Sequence, residues 1–288
     1  MPSIIIQEFY HHNSHTISYI VHDKQSLEAI VIDSALDFDL SSKTTQTHFV
    51  DQQIDYIRQH HLSVKWIAET HIHADHLTAA QYIKSQLGGE VIIGQGIIDT
   101  QKKFNHQLPP YKTSFEQAHQ FDRLLHDNEQ LTIGQTTITA LSTPGHTPDS
   151  MTYLIENNAF IGDTLFMPDS GSARCDFYGG CASTLFTSVQ RLYSLPDQTK
   201  LWMCHDYQPN GRPLHYQTSV QESKMTNIHI RHNTLKDYFI PLRETRDASL
   251  IPPKLLYPAL PFNILSGLWP VDNNIFSTPP FNICISKR

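Results

Sequence analysis

The sequence predicts a layered α/β fold with two sheets, and three patterns carry that expectation. Short β-branched runs at residues 4–6, 16–21, 29–32, 64–68 and 91–93 alternate with stretches whose apolar residues recur at helical spacing. The order then turns strand-rich, with runs at 136–141, 151–155 and 159–161. The chain has 288 residues, 39% hydrophobic and 17% charged, enough to bury a sizeable core without disulfides.

The first helix is expected over 48–60, where Phe49, Ile54 and Ile57 share a face. The second is expected over 77–87, where Leu77, Ala80 and Ile83 do, and Gly88 and Gly89 stop it. A third helix over 184–195 and a strand over 201–203 follow. Prolines at 252, 253, 258, 261, 270, 279 and 280 mark the tail as irregular and too proline-rich for regular helices. A prior of roughly 150 residues per domain allows two domains. The expected organisation is one main domain, residues 1–230, with a C-terminal extension, residues 231–288, that wraps it.

Lys and Arg number 21 against 28 Asp and Glu, a net charge of −7, and no basic cluster interrupts that balance. A nucleic-acid partner would need such a cluster, so that class is excluded. No apolar run nears the roughly 18–20 residues that cross a bilayer, and residues 1–10 lack a signal peptide's pattern. A cytoplasmic protein without a membrane partner is expected. Cys175, Cys181, Cys204 and Cys284 show no CxxC spacing and are read as reduced.

The chemistry lies in the histidines, of which there are 18. Most, including His11, His12, His15, His60, His61, His119, His229 and His232, sit in polar surroundings without ligand spacing and are read as bystanders. The exception is Thr70-His71-Ile72-His73-Ala74-Asp75-His76, between an expected strand and an expected helix. There His71 and His73 alternate so that both rings face one side, while Asp75 and His76 project from the helix start. That spacing can build two adjacent metal sites at a strand's carboxyl edge, where α/β folds usually bind ligands. Three single residues follow later strands: His146 in Thr143-Pro144-Gly145-His146-Thr147, Asp163 in Ile161-Gly162-Asp163-Thr164, and His205 in Cys204-His205-Asp206-Tyr207. Each alone is also an ordinary turn residue; their shared placement makes the set.

HxHxDH, a lone His after TPG, then GD, then HDY resembles the metallo-β-lactamase superfamily over roughly residues 1–230. The resemblance implies an αββα sandwich. It places His71, His73 and His146 at a first metal position and Asp75, His76 and His205 at a second, with Asp163 able to bridge. Finer resemblance, in residues 143–150 and from Gly162-Asp163-Thr164-Leu165-Phe166 to Arg174-Cys175-Asp176-Phe177-Tyr178-Gly179-Gly180-Cys181-Ala182, is to persulfide dioxygenases, relatives of glyoxalase II. That family uses one iron, held by residues matching His71, His146 and Asp163. Two histidines and a carboxylate are the triad that leaves open positions on Fe(II). His73, Asp75, His76 and His205 would then support the site or form a second one. Arg174, Asp176 and Tyr207 match residues that contact the glutathione part of the substrate.

The resemblance therefore implies one Fe(II) per chain, oxidation of a thiol persulfide with O2 to sulfite and thiol, and a role in sulfide detoxification. The partners are the persulfide and O2, and a homo-oligomer is compatible with the sequence. The alternative is a dinuclear zinc hydrolase of the glyoxalase II type acting on a thioester, since all seven ligands for two ions are present. Glutathione-using members carry Asn-Pro-Arg after the HDY motif, where this chain has Asn227-Ile228-His229; Arg212 or Arg231 would have to substitute. Residues 208–213 read as an inserted loop.

Overall fold

The computed structural model describes residues 3–107, 118–177 and 179–268. Its first sheet is formed by β1 (Ile4–His11), β2 (Thr16–Asp23), β3 (Glu28–Ile32), β6 (Ser63–Ala68), β8 (Glu90–Gly94) and β9 (Arg123–Leu125), in that spatial order. Its first two pairings are antiparallel and the rest parallel. The second sheet runs β10 (Glu129–Ile133), β11 (Thr136–Ser142), β12 (Met151–Ile155), β13 (Asn158–Phe160), β14 (Lys200–Trp202) and β15 (Gln217–Ser219). A small third sheet joins β4 (Ala35–Asp39) to β5 (Thr44–Gln46) and β7 (Leu77–Thr78).

Alternation along the strands explains the layers. In β2, Ile17, Tyr19 and Val21 turn inward to meet Tyr153, Ile155 and Phe160 of the second sheet, while Ile20 turns outward. Strand β3 repeats the pattern, with Ile30 and Ile32 inward and Ala29 and Val31 outward. The outward face of the first sheet is covered by α1 (His48–Gln59), α2 (Ala80–Leu87) and α3 (Ile97–Gln107). That of the second is covered by α4 (Ala182–Tyr193), α5 (Val220–Thr226) and α6 (Lys236–Asp247). The result is an αββα sandwich, as the resemblance implies.

Two expectations need correction. The second helix starts at Ala80, not at residue 77: Leu77 and Thr78 form β7, so Asp75 and His76 lie in a loop between two strands. The tail is not too proline-rich for helices either. Helix α6 contains Pro241, and α7 (Leu256–Ile264) contains Pro258 near its start and Pro261 inside. Packing outweighs the lost backbone bonds, since Leu256, Ala259, Leu260, Phe262 and Ile264 enter the core over the first sheet. Tyr178, Cys284 and the prolines at 270, 279 and 280 lie outside the described residues. Cys175, Cys181 and Cys204 are free thiols, as expected.

Candidate metal centre

Four segments converge at the rim shared by the two sheets. Residues 69–76 leave the end of β6, 143–150 join β11 to β12, Asp163 follows β13, and His205 follows β14. Backbone shape brings two of them close. Gly145 has φ +139° against the backbone of Leu185, and Gly162 has φ +52° against the Thr70 hydroxyl, where a Cβ would collide in both cases. The residues after these glycines, His146 and Asp163, are thereby turned toward the loop that carries His71.

The ligand atoms of His71, His146 and Asp163 lie within 4.8 Å of one another. Both imidazole Nε2 atoms are 3.8 Å from Asp163 Oδ2, and His205 Nε2 is 3.6 Å from Asp163 Oδ1. His73, Asp75 and His76 form a second group. Asp75 Oδ2 is 3.3 Å from His205 Nε2 and receives the Thr16 hydroxyl, also at 3.3 Å.

Each ring has one nitrogen anchored and one turned to the centre. His146 Nδ1 donates to the Arg174 carbonyl (2.7 Å), and His205 Nδ1 donates to the His15 carbonyl (3.1 Å). His71 Nδ1 meets the Thr70 hydroxyl at 3.0 Å, and His73 Nε2 donates to Asp33 (3.1 Å). These contacts leave His71 Nε2, His73 Nδ1, His76 Nε2, His205 Nε2 and Asp163 Oδ1 buried without a hydrogen-bond partner. Several orphaned lone pairs facing one another are costly unless they share a cation, so the donor set fits a metal ion.

Burial holds two of the imidazoles neutral; against that same burial, the Asp33 and Glu69 carboxylates raise His73, and Asp163 and Asp75 raise His205. Burial, with His73 and His146 nearby, pushes the His71 pKa well below its ordinary range, which leaves the neutral imidazole that binds metals. Burial acts the same way on His76, with His73 adding to it, and lowers its pKa to about 4. Burial raises the Asp163 carboxyl, against the opposing pull of His205 and His146.

Residues 14–205 match the family model described as the metallo-beta-lactamase superfamily. The chain belongs to the metallo-beta-lactamase superfamily. Among its curated relatives in the superfamily, a probable metallo-hydrolase of Burkholderia pseudomallei is 42% identical, covering 94% of this chain and 96% of that one. Glyoxylase B2 of Dictyostelium discoideum is 41% identical, over 94% of each. The human mitochondrial persulfide dioxygenase ETHE1 is 30% identical, over 71% of this chain and 69% of that one. The crystal structure of ETHE1 from Myxococcus xanthus superposes with a TM-score of 0.73 at 28% identity, over 92% of this chain and all of that one.

The residues expected at the substrate have other partners. Arg174 forms a two-pronged pair with Asp176 (2.6 and 2.7 Å), donates to the Ile251 carbonyl (2.9 Å) and lies over the Phe177 ring. Arg212 is likewise held, by Asp169 and Asp206, and Arg231 reaches the Asn227 carbonyl (3.3 Å). Tyr207 is exposed at the rim, its ring stacked on His205 and edge-on to Phe166. Asn227 and His229 brace a turn: Asn227 donates to the Gly171 carbonyl, and His229 Nδ1 accepts the Ser172 amide. His11 and His229 are therefore buried and hydrogen-bonded, which corrects their reading as bystanders.

Sequence reasoning missed the buried acids that hold the loop. Asp33 accepts the Thr70 amide and hydroxyl (both 2.7 Å) as well as His73, and Asp149 accepts the Ile72 amide (2.6 Å). Glu69 lies 3.2 Å from His73 Nε2. Asp33 follows a β-branched run directly, and that position was the available signal.

Proposed function

We propose that this protein is an Fe(II)-dependent persulfide dioxygenase, one iron per chain, that oxidises a thiol persulfide with O2 to sulfite and thiol in sulfide detoxification. The observation that carries the reading is the buried group His71, His146 and Asp163, with an unpartnered Nε2 on His71 and Oδ1 on Asp163. Iron(II) held by two histidines and one carboxylate would retain open positions for a sulfur ligand and O2. The protein's own part is orientation and exclusion of water. The Arg174 carbonyl fixes the His146 tautomer, the Thr70 hydroxyl positions His71, and the Phe177 ring packs edge-on to His146 at 5.5 Å. Asp75 accepts the Thr16 hydroxyl and lies 3.5 Å from His76 Nδ1 and 3.3 Å from His205 Nε2. Tyr207 and the Arg174–Asp176 pair border the side where the thiol carrier, glutathione in this reading, would lie.

A dinuclear zinc thioesterase is the second reading. It is favoured by the likeness to Glyoxylase B2 and by the unpartnered nitrogens of His73, His76 and His205. Protein purified without oxygen is expected to hold about one iron per chain and to consume O2 only when glutathione persulfide is supplied. Two zincs per chain with thioester hydrolysis and no persulfide-dependent O2 uptake would establish the hydrolase.

A further inference from the structure

Two segments meet beside the metal centre, and one side chain fastens them. Residues 164–172 follow Asp163 and carry the buried Phe166; residues 206–216 follow His205 and carry Tyr207, which is 56% exposed. The Tyr207 ring stacks on His205 with centroids 5.8 Å apart and meets Phe166 edge-on at 5.3 Å. Among the described residues, the hydrogen bonds that join the two segments come from Arg212. Its Nη1 and Nη2 hold Asp206 (2.6 and 2.7 Å), while its Nε and Nη2 hold Asp169 (2.5 and 2.9 Å). The Asp206 side chain is fully buried and also accepts the Gln208 and His215 amides (3.3 and 2.7 Å), so residues 207–215 fold back around it. Asp169 is half exposed, but its segment is braced from behind by Asn227 on the Gly171 carbonyl and His229 on the Ser172 amide. Gln208 (φ +45°) and Asn210 (φ +58°) are left-handed, a conformation costly to residues other than glycine, so the shape of this stretch depends on such ties. An exposed ion pair alone contributes little. A two-pronged guanidinium already fixed by a buried carboxylate loses little further freedom on meeting a second one.

We propose that Arg212 is a positioning residue for substrate. It fastens the segment of Tyr207 to that of Phe166, so that the two rings stand as one wall of the mouth through which the thiol carrier reaches the metal centre. Held together, the rings present a flat apolar face to the carrier, and the Tyr207 ring stays over His205. The role rests on the reading above in which Tyr207 borders the carrier. The stretch 208–213, which the sequence shows as an insertion, thereby acquires a function: it supplies the guanidinium that spans the two carboxylates.

Arg212→Ala leaves Asp206 buried without its counter-charge and puts the fold at risk, so the test uses the outer partner. Asp169→Ala keeps the Arg212–Asp206 pair. It is expected to retain wild-type metal content and melting temperature and to speed amide hydrogen exchange in residues 206–212. KM for glutathione persulfide should rise ~5-fold or more, with kcat within about 2-fold of wild type. Asp169→Glu, which keeps the carboxylate, should return KM toward wild type. Wild-type KM in Asp169→Ala would overturn the positioning role, whether or not exchange changes. So would a joint loss of metal and kcat, which would make Arg212 a structural tie for His205. The outcome is separable from the reaction assignment. If the wild type hydrolyses a glutathione thioester instead of consuming O2, the same KM comparison is made on that substrate. If it turns over neither, the proposed function fails on its own, and unchanged exchange in Asp169→Ala would still overturn the fastening.

Discussion

His71 and His76 are both buried imidazoles with an unpartnered Nε2, yet their rings sit among different neighbours. His71 faces Asp163 and His146, whereas His76 lies beside Asp75 and Thr16. With a single iron, His71→Ala removes one of three protein ligands and should abolish iron retention. His76→Ala should keep most of the iron and lose about 10- to 100-fold in affinity or activity, the scale for a supporting partner. Equal losses of metal per chain in the two variants would sink the one-iron assignment. His229 gives a prediction about acid stability. Burial, aided by Arg243 and Arg246, lowers its folded-state pKa to about 4, below the ordinary ~6.5 of the unfolded chain. Between those values the unfolded chain binds a proton that the folded one refuses, so stability rises with pH across that window and is lost on acidification through it. The contribution is on the order of 2 kcal/mol. His229→Gln should flatten the fall in denaturation midpoint between pH 6.5 and 4; an unchanged slope would assign that fall to other groups.

The elements far from the ligands in sequence decide how firmly they are held. In α6, Arg243 is 2% exposed and pairs with Asp247 one turn later. Arg243 Nη1 donates to the Ser172 carbonyl (2.9 Å), and Asp247 accepts the Cys175 amide (2.8 Å). The pair thus clamps both sides of Arg174, whose carbonyl holds His146. Arg243→Leu leaves Asp247 buried and uncompensated, and should cost about 3–5 kcal/mol in denaturant unfolding. Metal affinity should fall with it, because His146 loses its anchor; full stability with wild-type affinity would show the clamp to be redundant. Elements with a repeating apolar stripe were legible in the sequence: the helix expected over 48–60 is His48–Gln59, and that over 184–195 is Ala182–Tyr193. Helix starts were less so. Leu77 fits the stripe of α2, but pairing with Leu36 draws it into a strand. Pro258 and Pro261 signal a break by local rule, while the core contacts that outweigh the rule come from distant strands.

For the molecule as a whole, the candidate ligands were legible as a set because they follow apolar runs, so strand-end placement could be read locally. The supports were not, since Asp33, Asp149 and Arg243 become neighbours of the site only after folding. The clearest case is Asn263 in α7, 190 residues from the first histidines it serves by contact. Its Nδ2 donates to the carbonyls of His73 and His76 (both 2.8 Å), and its Oδ1 accepts the Thr78 amide (2.9 Å). The tail is therefore part of the metal loop's frame as well as of the core. Leu256, Leu260, Phe262 and Ile264 are each at most 7% exposed, and burial of such side chains is worth about 1.5–3 kcal/mol apiece. Together that is comparable to the roughly 5–15 kcal/mol by which a domain is stable at all. A chain ending at residue 250 should accordingly fail to show a cooperative unfolding transition. Asn263→Leu, which keeps the apolar contacts and removes only the three hydrogen bonds, should unfold cooperatively at a lower midpoint and lose metal affinity by about 10-fold or more. Wild-type metal affinity in Asn263→Leu would confine the role of α7 to the core.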